Sequence, residues 1–247
     1  MNKPYQSPWA QPVRLLSIAP LGAATLMLAA CGTEAPMAEP VSEAETPIAD
    51  VLPVMGPERV ILGFGDSLMA GYNLEEAQGY PERLEAVMRT RGVNARLIDA
   101  GVSGDTTAAG LQRIAFVLDN LAETPDLAIV ELGGNDLLRG ITPDQTRANL
   151  AGIMDVLAAR DIPAVIMGMR APPNFGSEFQ TAFDGLYPDL ARQYDAALVP
   201  FFMEPLMANP DLLMPDRIHP TAKGIEEMVA ATVDTVIGAL PEDNEGS

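Results

Sequence analysis

The sequence predicts an α/β fold in which a five-stranded parallel sheet is covered by helices, and three observations carry that expectation. From residue 59 onward, short apolar runs alternate with longer segments of helical period, the signature of strand-helix repeats. The loops that follow the apolar runs are the compositionally unusual ones, rich in Gly, Asp and Asn, as ligand-bearing loops at the carboxyl ends of parallel strands are. Finally, 247 residues, 48% of them hydrophobic and 20% charged, are enough to bury one substantial core.

The elements follow in order. The strands are Arg59 to Gly63 (RVILG), Ala95 to Asp99 (ARLID), Leu127 to Leu132 (LAIVEL), Ala164 to Gly168 (AVIMG) and Leu198 to Phe202 (LVPFF), each a short, mainly apolar run. Helices are predicted near 80–91, 107–121, 143–160, 177–193 and 221–239. The third has a clear start: Thr142 is a cap, Pro143 suits the first helical position, and Gln145 stands where a capping-box partner belongs. Phe175, Phe179, Phe183 and Tyr187 recur every four residues and make one helical face for packing onto the sheet. No internal repeat is present.

The first 31 residues obey different physics. Lys3 and Arg14 precede an apolar stretch from Leu15 to Ala30, interrupted by Pro20 and Gly22, with no acidic residue before Glu34. This is the outline of an export signal and too broken for a membrane span. It ends in Leu28-Ala29-Ala30-Cys31-Gly32, which resembles the bacterial lipoprotein cleavage motif, and Cys31 is the only cysteine. Lipidation of Cys31 is expected, and intrachain disulfides are impossible. Gly32 in place of an aspartate after the cysteine favours sorting to the outer membrane. Residues 32–57 hold five prolines, five acidic residues and no Lys or Arg, which reads as an extended, self-repelling tether. The expected organisation is therefore a leader (1–31), a tether (32–57), a catalytic domain (58–240) and a flexible tail (241–247), on the periplasmic side of a membrane. With 34 acidic residues against 15 Lys and Arg and no basic run, nucleic acid is excluded as a partner, and a membrane enters only through the anchor.

The histidine count narrows the chemistry, because His219 is the only one and any imidazole base must be this residue. Asp216, three residues earlier, can reach its Nδ1–H and leave Nε2 free to take a proton from a nucleophile. Ser67 follows the first strand in GFGDSLMAGY; it could cap a helix, or point a hydroxyl and a free N–H into the crevice as a nucleophile and oxyanion donor do. Gly104 in VSGDTT and Asn135 in GGND are candidates for two further donors, although each alone suits an ordinary turn. Competing motifs fail. Leu68 occupies the third glycine position of a dinucleotide fingerprint, and the chain has neither a G-x-x-x-x-G-K-[ST] phosphate loop nor a G-x-S-x-G elbow.

A serine in GDSLMAGY, a glycine in VSGDTT, an asparagine in GGND and a histidine in DRIHP, in that order from about residue 60 to 225, resemble the four blocks of the SGNH (GDSL) hydrolases. The segments VELGGNDLLRGITPDQT, MRAPPNFG and LVPFFME are similar to the bacterial thioesterase I, arylesterase and lysophospholipase group. The resemblance implies a flavodoxin-like three-layer α/β/α sandwich. It implies that Ser67 attacks the acyl carbonyl, His219 is base and then acid, Asp216 orients it, and the Ser67 and Gly104 N–H groups with the Asn135 amide hold the oxyanion. It also implies that the loop Asp136, Leu137, Leu138, Arg139, Gly140 and Ile141 moves over bound acyl chains, and that no metal or organic cofactor takes part. The expected partner is a small-molecule ester, thioester or lysophospholipid, met by a monomer. A carbohydrate O-deacetylase of the same family and a non-catalytic acyl- or glycan-binding lipoprotein are the rival readings, the second disfavoured by the complete Ser67, Asp216 and His219 set.

Met69, two residues from Ser67, could line an acyl pocket, but methionine fills cores more often. Arg139 and Arg170 lie in crevice loops and could meet an anionic substrate group, a surface salt bridge being the commoner fate.

Overall fold

The structure, a computed structural model, describes residues 54–242. The leader with Cys31, the tether up to residue 53 and the last five residues lie outside the described residues. Among those described, no helix is long and apolar enough to cross a membrane.

Five strands, β1 (Arg59–Gly65), β2 (Ala95–Gly101), β3 (Leu127–Glu131), β4 (Ala164–Met167) and β5 (Ala197–Val199), form one all-parallel sheet in the order β2-β1-β3-β4-β5. Six helices accompany them: α1 (Tyr80–Thr90), α2 (Thr107–Asp119), α3 (Gly134–Leu138), α4 (Pro143–Ala158), α5 (Ser177–Tyr194) and α6 (Ala222–Gly238). α1 packs beside α6, while α4 lies between α2 and α5, so helices cover the sheet in two groups. This is the flavodoxin-like sandwich that the sequence implied. The strand order reverses between β1 and β3, and the crevice at such a switch point, outside the carboxyl ends of the strands, is where ligands bind.

Burial explains why these runs are strands. β3 and β4 are buried along their whole length, as is β1 beyond Arg59, and parallel strands covered on both faces need near-continuous apolar sequence. α1 presents Tyr80, Leu84 and Met88 to the core and α6 presents Ile225, Met228, Val229, Val233 and Val236, each aliphatic contributing about 2 kcal/mol of transfer free energy. The Thr142 box is present at α4: Thr142 Oγ1 accepts from Gln145 N at 3.3 Å and Gln145 Oε1 accepts from Thr142 N at 3.4 Å. Phe183 and Tyr187 are buried in a ring ladder with Phe179 and Phe175, at successive centroid distances of 4.9, 6.0 and 5.7 Å. Phe175 stands in a 3₁₀ turn before α5 rather than on the helix. Met69 is fully buried, so the core, and not an acyl pocket, takes this side chain.

Two departures have physical causes. The fifth strand, expected over 198–202, is Ala197–Val199: beyond it Gly168 O accepts from Phe202 N at 2.8 Å where a regular ladder would use Phe201 N, so one extra residue bulges out and ends the strand, and Phe202 turns inward, edge-on to Tyr80 at 4.8 Å. The segment after the Asn135 block, expected as a loop over 136–141, begins as the helix α3, too short to register as a period. Asp136 and Leu137 are buried there, only Leu138, Arg139 and Gly140 are exposed, and Ile141 is half-buried. Asp136 is wholly buried. Its Oδ2 accepts from Thr107 N at 2.8 Å, and its Oδ1 accepts from the hydroxyls of Thr107 at 2.5 Å and Thr146 at 3.1 Å. The carboxylate thus joins α3 to α4 and to the first residue of α2, where the helix dipole favours negative charge. It is not part of a free acyl-site loop. Asp136→Ala should leave these donors buried without an acceptor and cost about 3 kcal/mol, read as a fall in Tm. An unchanged Tm would contradict this tie.

Candidate active site

The site forms where β1, β2 and β3 end. After Gly65 the chain turns through Asp66, Ser67 and Leu68: Asp66 Oδ1 accepts from Leu68 N at 3.1 Å, Ala70 N donates to Asp66 O at 3.0 Å, and Tyr72 N donates to Ser67 O at 3.1 Å. Successive tight turns follow and α1 begins only at Tyr80, so Ser67 caps no helix and its hydroxyl is free for other work.

That hydroxyl lies 2.8 Å from His219 Nε2, and His219 Nδ1 lies 2.8 Å from Asp216 Oδ2. Because a carboxylate only accepts, Nδ1 carries the proton and Nε2 accepts from the serine O–H. The spacing Asp216-Arg217-Ile218-His219 succeeds because Arg217 adopts a left-handed conformation, φ 59°. The resulting tight turn lets Asp216 Oδ1 accept from the N–H groups of Ile218 at 2.9 Å and His219 at 3.0 Å. A bridge between Leu213 and Pro220 closes the loop, with Met214 N donating to His219 O at 2.7 Å. The His219 hydrogen bond, followed by the two backbone N–H groups, holds the Asp216 carboxyl down at about 2. On its other side the imidazole stacks against Tyr72, ring centroids 4.2 Å apart and tilted by 31°.

Gly104 and Asn135 arrive from the next two strands. Gly104 has φ +87°, where any side chain would be strained, so glycine is required by conformation. Its carbonyl accepts from Arg139 Nη2 at 2.7 Å, which joins the loop after β2 to the loop after α3. Asn135, in the first turn of α3, donates one Nδ2 proton to Asp66 Oδ2 at 2.9 Å and retains a second. All four block residues therefore stand at one end of the sheet.

Sequence reasoning missed what lies beneath them. Arg113 of α2 donates from Nη1 to Ala100 O at 2.8 Å, from Nη2 to Gly65 O at 2.9 Å and from Nε to Asp105 Oδ2 at 2.6 Å. Its guanidinium lies 4.0 Å over the Phe64 ring. One side chain thus ties the end of β1 to the Gly104 loop; nothing in the helical pattern of α2 announces it. Asp66 and Tyr72 stood within the GDSLMAGY block, and Glu131 was legible as a lone charge in an apolar strand. Arg139 and Arg170 form no ion pair among the described residues: Arg139 holds Gly104 O, and Arg170 lies 5.1 Å from the Phe201 ring centroid. No group of His, Cys, Asp and Glu among the described residues has metal-holding geometry.

A hydroxyl bonded to an imidazole that is itself fixed by a carboxylate is an arrangement for nucleophilic attack. Residues 64–226 match the model of the GDSL-like lipase/acylhydrolase family. An arylesterase of Vibrio mimicus is 36% identical over 173 residues, 69% of this chain and 86% of that protein. The thioesterase 1/protease 1/lysophospholipase L1 of Escherichia coli K12 is 37% identical over 160 residues, covering 65% and 74%. The crystal structure of AlinE4, an SGNH-hydrolase family esterase, superposes with a TM-score of 0.65 at 60% identity, over 76% of this chain and 100% of that one. By sequence, fold and the ordered presence of its four blocks, the chain belongs to the GDSL-like lipase/acylhydrolase family, within its SGNH esterases.

Proposed function

We propose that the protein is a serine esterase that hydrolyses carboxylic ester or thioester bonds through Ser67, His219 and Asp216 and an acyl-enzyme intermediate. The observation that carries this reading is the unbroken path Ser67 Oγ–His219 Nε2–His219 Nδ1–Asp216 Oδ2, both contacts at 2.8 Å. His219 takes the hydroxyl proton as Ser67 Oγ attacks the acyl carbonyl, a general-base contribution of roughly 10²- to 10⁴-fold. The imidazolium then hands the proton to the departing alcohol or thiol, and water repeats the cycle on the acyl-enzyme. The tetrahedral oxyanion is held by the N–H groups of Ser67 and Gly104 and by the second Asn135 proton, each donor worth about 3 kcal/mol in such sites.

Acyl substrates are favoured by the rim. Among the described residues, Tyr72, Val102, Leu138 and Ile218 are exposed large hydrophobic side chains in the segments that carry Ser67, Gly104, Asn135 and His219. Apolar surface gathered around a polar centre suits an ester with a hydrocarbon arm. The names of the relatives, arylesterase and thioesterase 1/protease 1/lysophospholipase L1, agree with such a range.

Two experiments test the reading. On p-nitrophenyl esters from acetate to dodecanoate, kcat/KM should rise beyond acetate and fall to background in Ser67→Ala; an optimum at acetate would favour a deacetylase, and a fully active Ser67→Ala would exclude this nucleophile. The second is a pH profile. Neutral His219 is the base, so kcat/KM should fall on the acid side as the ring takes a proton. Asp216→Asn should lower kcat on the order of 10⁴-fold by removing the acceptor that fixes the tautomer. Asp216 titrates lower in the fold than its ordinary 3.8, so its modest contribution to stability is present above that value and is lost as pH falls towards about 2. A profile flat through the imidazole range, with chemistry still limiting, would refute the role of His219.

A further inference from the structure

β3 ends in a carboxyl group with no cationic partner among the described residues. Glu131 is fully buried within the sheet, aligned with Gly65 of β1 on one side and Met167 of β4 on the other. Its Oε2 accepts from Asp66 N at 3.2 Å, whereas its Oε1 is buried with no hydrogen-bond partner. The sequence makes room for it: a Cβ on Gly65 would sit 2.7 Å from both the Glu131 carbonyl oxygen and Oε2. Beside it lies Asp66, 2% exposed, whose Oδ1 accepts from Leu68 N and whose Oδ2 accepts from Asn135 Nδ2.

Two carboxyl groups in contact and out of water cannot both ionise, because each charge raises the cost of the other. Burial pushes both up, Glu131 furthest, and the influence of each carboxyl on the other raises Glu131 and lowers Asp66. The donors agree. Asp66 has a donor on each oxygen, the Leu68 N–H and the Asn135 amide, whereas the backbone N–H groups of Asp66 and Met69 that act on Glu131 leave its Oε1 bare, which a carboxylate would tolerate less well than an acid's carbonyl does. The groups around the pair do not reverse this assignment. Tyr80 of α1 and Tyr187 of α5 are buried neutral phenols, Asp136 is held by its two threonines, and the His219 ring, where it carries charge, favours the anion on Asp66. Arg113, which reaches Gly65 O, is paired with Asp105.

We propose that Glu131 is a positioning residue of this site: as a neutral buried acid it donates to the Asp66 carboxylate, and Asp66 in turn aims the Asn135 amide at the substrate oxygen. The chain Glu131–Asp66–Asn135 leaves one Asn135 proton tied and the other free for the oxyanion. It also fixes Asp66, the residue immediately before the nucleophile. The proposal rests on the esterase reading for its kinetic consequence, but not for the protonation state itself.

The test pairs infrared spectroscopy with two substitutions in the full chain. Difference spectra with ¹³C-labelled glutamate should contain the C=O stretch of a protonated carboxylic acid at neutral pH, absent in Glu131→Gln. Glu131→Gln retains a neutral donor of the same shape and should keep kcat within about twofold. Glu131→Met fills the volume but donates nothing, and kcat should fall roughly 10- to 100-fold at little changed KM as the oxyanion donor loses its alignment. Loss of activity in the Gln variant equal to that in Met, full activity in both, or no protonated band would each overturn the proposal. Should the Met variant fail to fold, the band and the Gln variant still decide it. If Ser67→Ala remained active, the esterase reading would fail while the infrared result stood by itself.

Discussion

The register of three parallel strands governs the site. Gly65 at the end of β1 aligns with Gly101 of β2 and with Glu131 of β3, so three chain reversals begin at one level of the sheet and deliver Ser67, Gly104 and Asn135 to one crevice. A slip of one residue in β1 would send Ser67 to the other face, since side chains alternate along a strand. Close approach maintains that register. A Cβ on Gly101 would sit 2.4 Å from Ala70 N, and one on Gly65 would strike Glu131. Glycine at the two strand ends lets the nucleophile turn settle onto its neighbours, and Arg113 then bonds the last carbonyls of that seam.

Around this frame the charges divide by environment. Asp216 sits in a partly exposed turn, accepts three hydrogen bonds and keeps its negative charge far into acid. Glu131 is the opposite case, a carboxyl without enough donors and without water, and it is driven towards the neutral acid. Asp66 lies between these extremes and links the nucleophile turn to the Asn135 amide. An electrostatic gradient of this kind is how one set of carboxylates can serve different tasks at one pH.

Much of this was legible in the sequence, for identifiable reasons. Strands buried on both faces read as unbroken apolar runs, and helix α4 announced itself through the Thr142, Pro143 and Gln145 cap. The site residues were legible because His219 is the only imidazole and because unusual loops follow the strands. What stayed hidden depended on tertiary contact. No local signal distinguishes Arg113 from any other helical arginine, and α3 is too short to show a period. Asp136 stood in a polar block yet is a buried tie among three helices, because burial of a carboxylate is decided by donors that come from Thr107 and Thr146. The end of β5 at Val199 is also a matter of tertiary contact, since Phe202 N and not Phe201 N reaches Gly168 O.

Hydrolysis by this site requires Ser67 to be an activated nucleophile, and covalent trapping measures that most directly. A p-nitrophenyl alkylphosphonate should release one equivalent of nitrophenol and leave one phosphonyl adduct, mapped by peptide mass spectrometry to Ser67, with labelling slowed in acid and abolished in Ser67→Ala. An adduct on another residue, or equal labelling of Ser67→Ala, would contradict the account.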